Sequence, residues 1–345
     1  MVSNLFIFNF NFMINLLKKL TLFMLPILAV IILYLVIDPF KVIHNDVNTY
    51  NDNSNYQVET NRDYQSTELF ISNYKKYNYN SFIFGSSRSY FYKSKSWQKH
   101  INGSIFHFNA SGETIYGINK KMKFLEELNV EIKNAIIVLD VDVLGTVRNN
   151  KGHIFIKHPL TSKESKLMFH VKMFMGFFPK AVIAHTDFYF TQKLKPYMKK
   201  YGISAKTVQI DKQTNDFWVF EEDNKISKDS ISFYKAKKDI FYKRNGNLIY
   251  SKPYIFREQI KLLNEIKSIL IKNKTKYKIV ISPLYNQEKF AKADLMILKN
   301  IFGNNCVYDF SGKNKYTNDY MNYYETSHYR PNIANLIIDS LYSAY

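Results

Sequence analysis

Ser81-Phe82-Ile83-Phe84-Gly85-Ser86-Ser87-Arg88-Ser89 is the stretch that fixes how the rest of the chain is read. A short apolar run ends at a glycine, and glycine lets the backbone turn sharply where a strand stops. That bend stands a serine hydroxyl at the carboxyl end of the strand, with neighbouring N–H groups free. Nucleophilic catalysis needs this geometry, because the attacking oxygen and the oxyanion donors must meet at one carbonyl. Taken alone, the same residues also describe a plain serine-rich loop or a helix cap.

Outward from this run, strand and helix signals alternate. Ile105-Phe106-His107-Phe108-Asn109 is a second apolar run, ending at Ser111-Gly112. Asn134 to Asp140 is the strongest buried-strand signal, Lys278 to Pro283 resembles it, and Cys306 to Phe310 closes the series. Between them, Glu113 to Leu128 places Ile115, Ile118, Met122 and Leu125 near helical spacing. Further helices are predicted over Phe256 to Asn273, Gln287 to Ile301 and Pro331 to Tyr342. Strands alternating with helices predict an α/β domain over 65–345, a three-layer, doubly wound, mostly parallel sheet of flavodoxin-like type. Such sheets carry their sites at the carboxyl ends of strands. Residues 145–255 break the rhythm and are expected to form an insertion that covers or flanks the site. It contains the aromatic run Met173 to Phe178, a candidate pocket lining, core or membrane-facing surface.

The composition narrows the possibilities. The 345 residues are 46% hydrophobic and 17% aromatic, too apolar for a disordered chain. The single Cys306 excludes an intramolecular disulfide framework and a cysteine-cluster zinc site. His153 and His158 lack a carboxylate at ligand spacing, so no metal or other cofactor is expected. The 48 basic and 29 acidic residues give +19, but the lysines are dispersed, with no long basic cluster of the kind nucleic-acid binding would use. Trp97 and Trp218 offer rings for sugar stacking or for ordinary packing.

Leu20 to Ile37 is an uncharged run of 18 residues, near the lower edge of the ~17–25 that a transmembrane helix requires. Leu16 and Leu17 extend it, and Pro26 is tolerable in lipid. Lys18 and Lys19 keep the N-terminal side cytoplasmic under the positive-inside rule, so the bulk of the chain faces outward. No A-x-A cleavage pattern follows, which favours a retained signal anchor over residues 16–38. Residues 1–15 then form a cytoplasmic N-terminus, with Met13 as an alternative start, and 39–64 a polar tether. Only two of the basic residues precede Asp38, so the outward part carries +17. Outside a bacterial inner membrane, acidic polysaccharide and lipid headgroups are the partners that such a charge favours.

A second chemical motif lies near the C-terminus, in Tyr323-Tyr324-Glu325-Thr326-Ser327-His328-Tyr329-Arg330-Pro331. A carboxylate three residues before a histidine can orient the imidazole while the other ring nitrogen faces a serine. With the serine turn at the other end of the domain, the order is Ser, acid, His.

These blocks resemble the SGNH (GDSL-type) hydrolase superfamily. The nearest likeness is to its membrane-anchored, extracytoplasmic branch, associated with acylation of cell-surface polysaccharides. The likeness covers about residues 62–343. The family's first block, Gly-Asp-Ser or Gly-Ser-Ser, matches Gly85-Ser86-Ser87 and implies Ser87 as the nucleophile. The second matches Asn109-Ala110-Ser111-Gly112 and implies the Gly112 N–H, beside that of Ser87, as an oxyanion donor. The last, Asp-x-x-His, matches Glu325 and His328, with the longer Glu in place of Asp. The third block normally ends in an oxyanion-hole asparagine, whereas this strand ends at Asp140. Asp140 either bonds Ser86 or Arg88 to brace the turn, or leaves Asn109 to donate in the missing residue's place. The resemblance implies a serine esterase or O-acyltransferase, acting on extracytoplasmic polysaccharide beside a polytopic membrane acyltransferase. The alternative is a catalytically inactive module that binds polysaccharide or scaffolds an export complex.

Overall fold

The computed structural model describes residues 2–44, 54–244 and 246–343, with side chains from Phe12 onward. Its helices are α1 (Val2–Ile37), α2 (Arg62–Tyr77), α3 (Ile115–Glu127), α4 (Lys166–Phe177), α5 (Val182–Thr191), α6 (Phe220–Lys228), α7 (Ser230–Ala236), α8 (Arg257–Lys272), α9 (Lys292–Phe302) and α10 (Pro331–Tyr342), with shorter turns between them.

Five apolar runs pair into one parallel sheet: β1 (Ser81–Phe84), β2 (Ile105–His107), β3 (Asn134–Leu139), β4 (Lys276–Ile281) and β5 (Val307–Asp309). The spatial order is β2-β1-β3-β4-β5. Each run lies within or beside the strand its sequence predicts. Strands β1 and β3 are buried along their whole length, as expected when both faces are covered. Side-chain alternation divides the core in two. Phe82, Phe84, Ile137, Leu139 and Ile279 pack against α2, α3, α8 and α9, whereas Ile83, Ile136, Val138 and Val280 pack against α10 and the aromatic C-terminal segment. The chain moves from β1 outward to β2, then crosses back to β3. The loops after β1 and β3 therefore diverge and leave a crevice at the carboxyl edge.

Helix α1 includes a stretch from Phe12 to Ile37 whose most apolar 18 residues have a mean hydropathy of 2.9. Its 26 residues are long and apolar enough to span a membrane. The helix continues unbroken back to Val2, through Met13, so helical structure extends into the expected N-terminal segment 1–15.

The expected tether needs correction. Residues 45–53 lie outside the described part, but the flanking residues are packed rather than loose. The Asp38 carboxylate accepts from the N–H groups of Val42, Ile43 and His44 at 2.9–3.0 Å, closing the chain around the end of α1. Tyr56–Val58 pairs antiparallel with Ile203–Ala205, and Asn61 caps α2 by accepting from the Tyr64 N–H. Polar residues misled the reading here: Asn61, Arg62 and Asp63 look like loop but are buried, each with built partners.

Asp63 belongs to a buried network that composition does not reveal. Lys121 Nζ lies 2.9 Å from Asp63 Oδ2 and 2.5 Å from Glu113 Oε2, and Lys157 Nζ lies 2.6 Å from Glu113 Oε1. Burial pushes the Asp63 pKa upward, but Lys121 and Lys157 outweigh it and hold it low. The network joins α2, the turn after Gly112, α3 and the insertion. A Cβ on Gly117 would sit 2.0 Å from Glu113 Oε1, so the site requires glycine.

Breaking a buried pair from one side strands a charge, at a cost of about 3–5 kcal/mol. Lys121→Met is therefore expected to lower the urea midpoint of the solubilised chain sharply. Lys272→Met, which breaks an exposed pair with Glu126, is expected to cost under ~1 kcal/mol.

Candidate active site

Gly85 has φ +156°, and a Cβ there would lie 2.8 Å from Ser89 Cβ and 3.0 Å from Val138 Cβ. The turn can thus press against β3 only without a side chain. A short 3₁₀ helix, Ser87–Phe91, follows at once. Ser89 N–H and Oγ both donate to the Ser86 carbonyl, at 2.8 and 2.7 Å, and tighten the turn. Ser86 supports it through this carbonyl.

The C-terminal block forms a hairpin of β6 (Tyr323–Glu325) and β7 (His328–Tyr329), joined by Thr326 and Ser327. Glu325 and His328 are cross-strand partners, so the spacing of three reflects a two-residue turn. The turn lets the longer glutamate reach the ring. His328 Nδ1 bonds Glu325 Oε1, and His328 Nε2 lies 2.7 Å from Ser87 Oγ. Residues 241 apart in sequence thus form one Ser–His–Glu chain. Ser87, Glu325 and His328 are all half-buried.

Burial raises the Glu325 pKa, but the bond from His328 and the Ser327 N–H (2.6 Å) outweigh it, and the carboxyl falls below its ordinary value. Hydrogen bonding to the charged form stabilises it.

Arg88 braces the site. Its Nη1 lies 2.8 Å from both Asp140 Oδ2 and Asp142 Oδ2, and its Nε donates to the Ser327 carbonyl at 3.2 Å. Burial disfavours the guanidinium charge, yet Asp140 and Asp142 raise its pKa. The other Asp140 oxygen accepts from the N–H groups of Asp142 and Val143. Of the two expected bracing partners, Arg88 is the one that pairs with Asp140, its guanidinium lying against the carboxylate.

The second block lies beside the first. Ala110 N–H donates to the Gly85 carbonyl at 3.3 Å. Gly112 has φ +55° and is exposed, with Phe155 packed where its Cβ would be. Asn109 is fully buried; its Oδ1 accepts from Arg62, and among the described residues its Nδ2 has no partner.

Some supporting residues escaped the sequence reading. His107 approaches Ser89 Oγ at 3.3 Å and Asp216 at 3.6 Å, a second Ser–His–Asp set. It is sealed from solvent, and burial lowers the histidine pKa, so it braces the turn from behind. Lys93, pushed down to about 8 by burial against the opposing pull of Asp216 and Asp223, ties Tyr90 to Phe217. The insertion does flank the site: Tyr234 donates to the Tyr323 carbonyl and Lys237 to that of Tyr324, supporting the hairpin. Trp97 is a core residue whose Nε1 donates to Tyr342 Oη, and Trp218 is partly exposed under the Lys93 ammonium. His158 caps a short helix and bonds Glu68, and no cluster of potential metal ligands occurs among the described residues.

No family model and no curated protein matches the chain.

The Glu325 carboxyl is expected to titrate below the ordinary glutamate value of ~4.3, and His328→Ala should raise it; a carbon-detected NMR titration reads both. Because the folded pKa is depressed, its stabilising contribution is present above the unfolded value and lost as pH falls through the folded one. Glu325→Gln should therefore weaken the acid-side pH dependence of stability.

Proposed function

We propose that this chain is a membrane-anchored serine esterase or O-acyltransferase of SGNH type, built on a three-layer, doubly wound sheet. The observation that carries this reading is the hydrogen-bonded sequence Ser87–His328–Glu325 at the crevice between the exits of β1 and β3. His328 Nε2 takes the Ser87 proton as Oγ attacks the acyl carbonyl, and Glu325 holds the imidazole and stabilises its charged form. The N–H groups of Ser87 and Gly112 receive the oxyanion. As the donor C–O bond breaks, His328 returns the proton to the leaving oxygen. A sugar hydroxyl or water then gives its proton to His328, attacks the acyl carbon and releases Ser87. Asp140 opposes none of this, because Arg88 compensates its charge.

A triad that is only half-buried suits a polymeric acceptor. A groove of about 890 Å³, lined by Tyr234, Phe241, Tyr285 and Tyr320 with Lys235, Lys238 and Lys313, adjoins the segment leading into β6. Aromatic faces with cations between them favour an acidic polysaccharide, with acetyl as the transferred group. The lysine pair before the apolar stretch of α1 favours an N-in anchor in a bacterial inner membrane, with the domain extracytoplasmic. A polytopic membrane acyltransferase is the implied acyl supplier. The same groove also favours the rival reading, a catalytically silent polysaccharide-binding or export-scaffold module.

A serine-directed fluorophosphonate separates the two. The full chain in detergent is expected to label, Ser87→Ala to abolish labelling, and Glu325→Gln to slow it about 10³–10⁴-fold. Unchanged labelling of Ser87→Ala would reject the nucleophile. A wild-type chain that neither labels nor turns over an acetyl ester would be the binding module.

A further inference from the structure

Helices α4 and α5 are short, bent by 82° to one another, and apolar enough to pass jointly as a broken span. Their inner sides are accounted for. Phe169, Met173 and Phe177 pack with Tyr34 and Ile37 at the C-terminal end of α1, the Tyr34 ring lying 5.5 Å from Phe174 and 5.7 Å from Phe177. The outer side is unusual for a domain surface. Leu167, Met168, Val171, Met175 and Phe178 all point outward, and at ~100° per residue they fall within one arc of about 100°. On α5, Ile183 (73% exposed) and Phe190 (71%), seven residues apart, stand on one side of that helix. Exposed apolar side chains grouped in this way on two adjoining helices mark a contact with something apolar.

The neighbouring helix indicates the occupant. About 20 residues cross the hydrocarbon core, so a span beginning at Leu20, after the lysine pair, reaches the far boundary around Pro39, between Ile37 and Phe40 of the cluster on which α4 packs. Lys166 and Lys180 flank the apolar arc, with Lys172 paired to Glu164 at 3.7 Å, and the Asp187 carboxylate is already engaged by Lys195 and Tyr197. An apolar face edged by cations at the level where a span leaves the bilayer matches an interfacial helix on anionic lipid. We propose that α4 and α5 form a membrane-surface foot, sunk at the headgroup boundary of the leaflet from which α1 emerges. It rests on α1 being the span and is independent of the chemistry at Ser87.

The test uses the full chain with Cys306→Ser, in vesicles of phosphatidylethanolamine and phosphatidylglycerol. Single nitroxides are attached through Met175→Cys, Ile183→Cys or Phe190→Cys, with Leu25→Cys as a reference inside the span and Met296→Cys as an exposed reference on α9. At positions 175, 183 and 190, collision with oxygen should exceed collision with a water-soluble nickel chelate several-fold, as at 25, and the order should reverse at 296. Nickel access at all three positions, with 25 in lipid, would overturn the foot. Exclusion of both reagents would overturn it in favour of a protein cover, a second copy or a membrane partner. Nickel access at 25 would instead fail the span on which the foot depends. Retention of the parent melting profile by each labelled chain shows that the readout comes from the folded state.

Discussion

The Arg88 guanidinium ties the turn that carries Ser87 to the end of β3 through Asp140, and to the hairpin of Glu325 and His328 through the Ser327 carbonyl. These segments come from widely separated parts of the chain, and the sheet alone would fix only the first two. A planar guanidinium donates in set directions, which a lysine ammonium does not. Buried ion pairs are weak sources of net stability, because desolvation offsets attraction. What Arg88 contributes is registration: the hairpin cannot slide along the crevice without breaking the Ser327 bond. It also explains an aspartate where the resemblance leads one to expect an asparagine. A carboxylate at 140 is tolerable because its oxygens are held by a guanidinium and two backbone N–H groups.

The other wall of the crevice is fixed by a different device. Glu113, directly after Gly112, is held by both Lys121 and Lys157, so the turn at Gly112 is anchored from below by charge. Arg62 reaches the same region from α2, joining Asn109 to Asn215 of the insertion. Small movements there would pull apart charged groups that are paired in a buried interior, where separation is costly. Phe155, packed over Gly112, is the large side chain that this wall shows to solvent.

The five strands were legible because a parallel sheet covered on both faces must be apolar throughout, and Asn134 to Leu139 could hardly be anything else. The serine turn and the Glu325–His328 spacing were legible because steric need and proton chemistry restrict which residues can stand there. The buried charges were not. Lys121 sits on α3 among polar neighbours and reads as a solvated helix face; only its pairing across sequence with Asp63 and Glu113 makes it a core residue. The residues before α2 failed for the same reason, since a buried cap and a flexible linker draw on the same polar alphabet. Asp216, the partner of His107, lies in a polar stretch of the insertion, with no local signal to mark it.

The insertion proves to be two structures with different tasks. Its first half, α4 and α5, packs on the end of α1, whereas its second half, α6 and α7, buttresses the hairpin of Glu325 and His328. Between them the Ile203–Ala205 strand pairs with Tyr56–Val58, and Asn61 donates to the His153 and Ile156 carbonyls. Tyr64 Oη closes the circuit by bonding the Val42 carbonyl just past α1. A domain on a loose leash would sample every orientation to its anchor. Here the end of α1 is built into the same packed body as the wall of the crevice, so the direction in which Ser87 faces is fixed relative to the axis of α1.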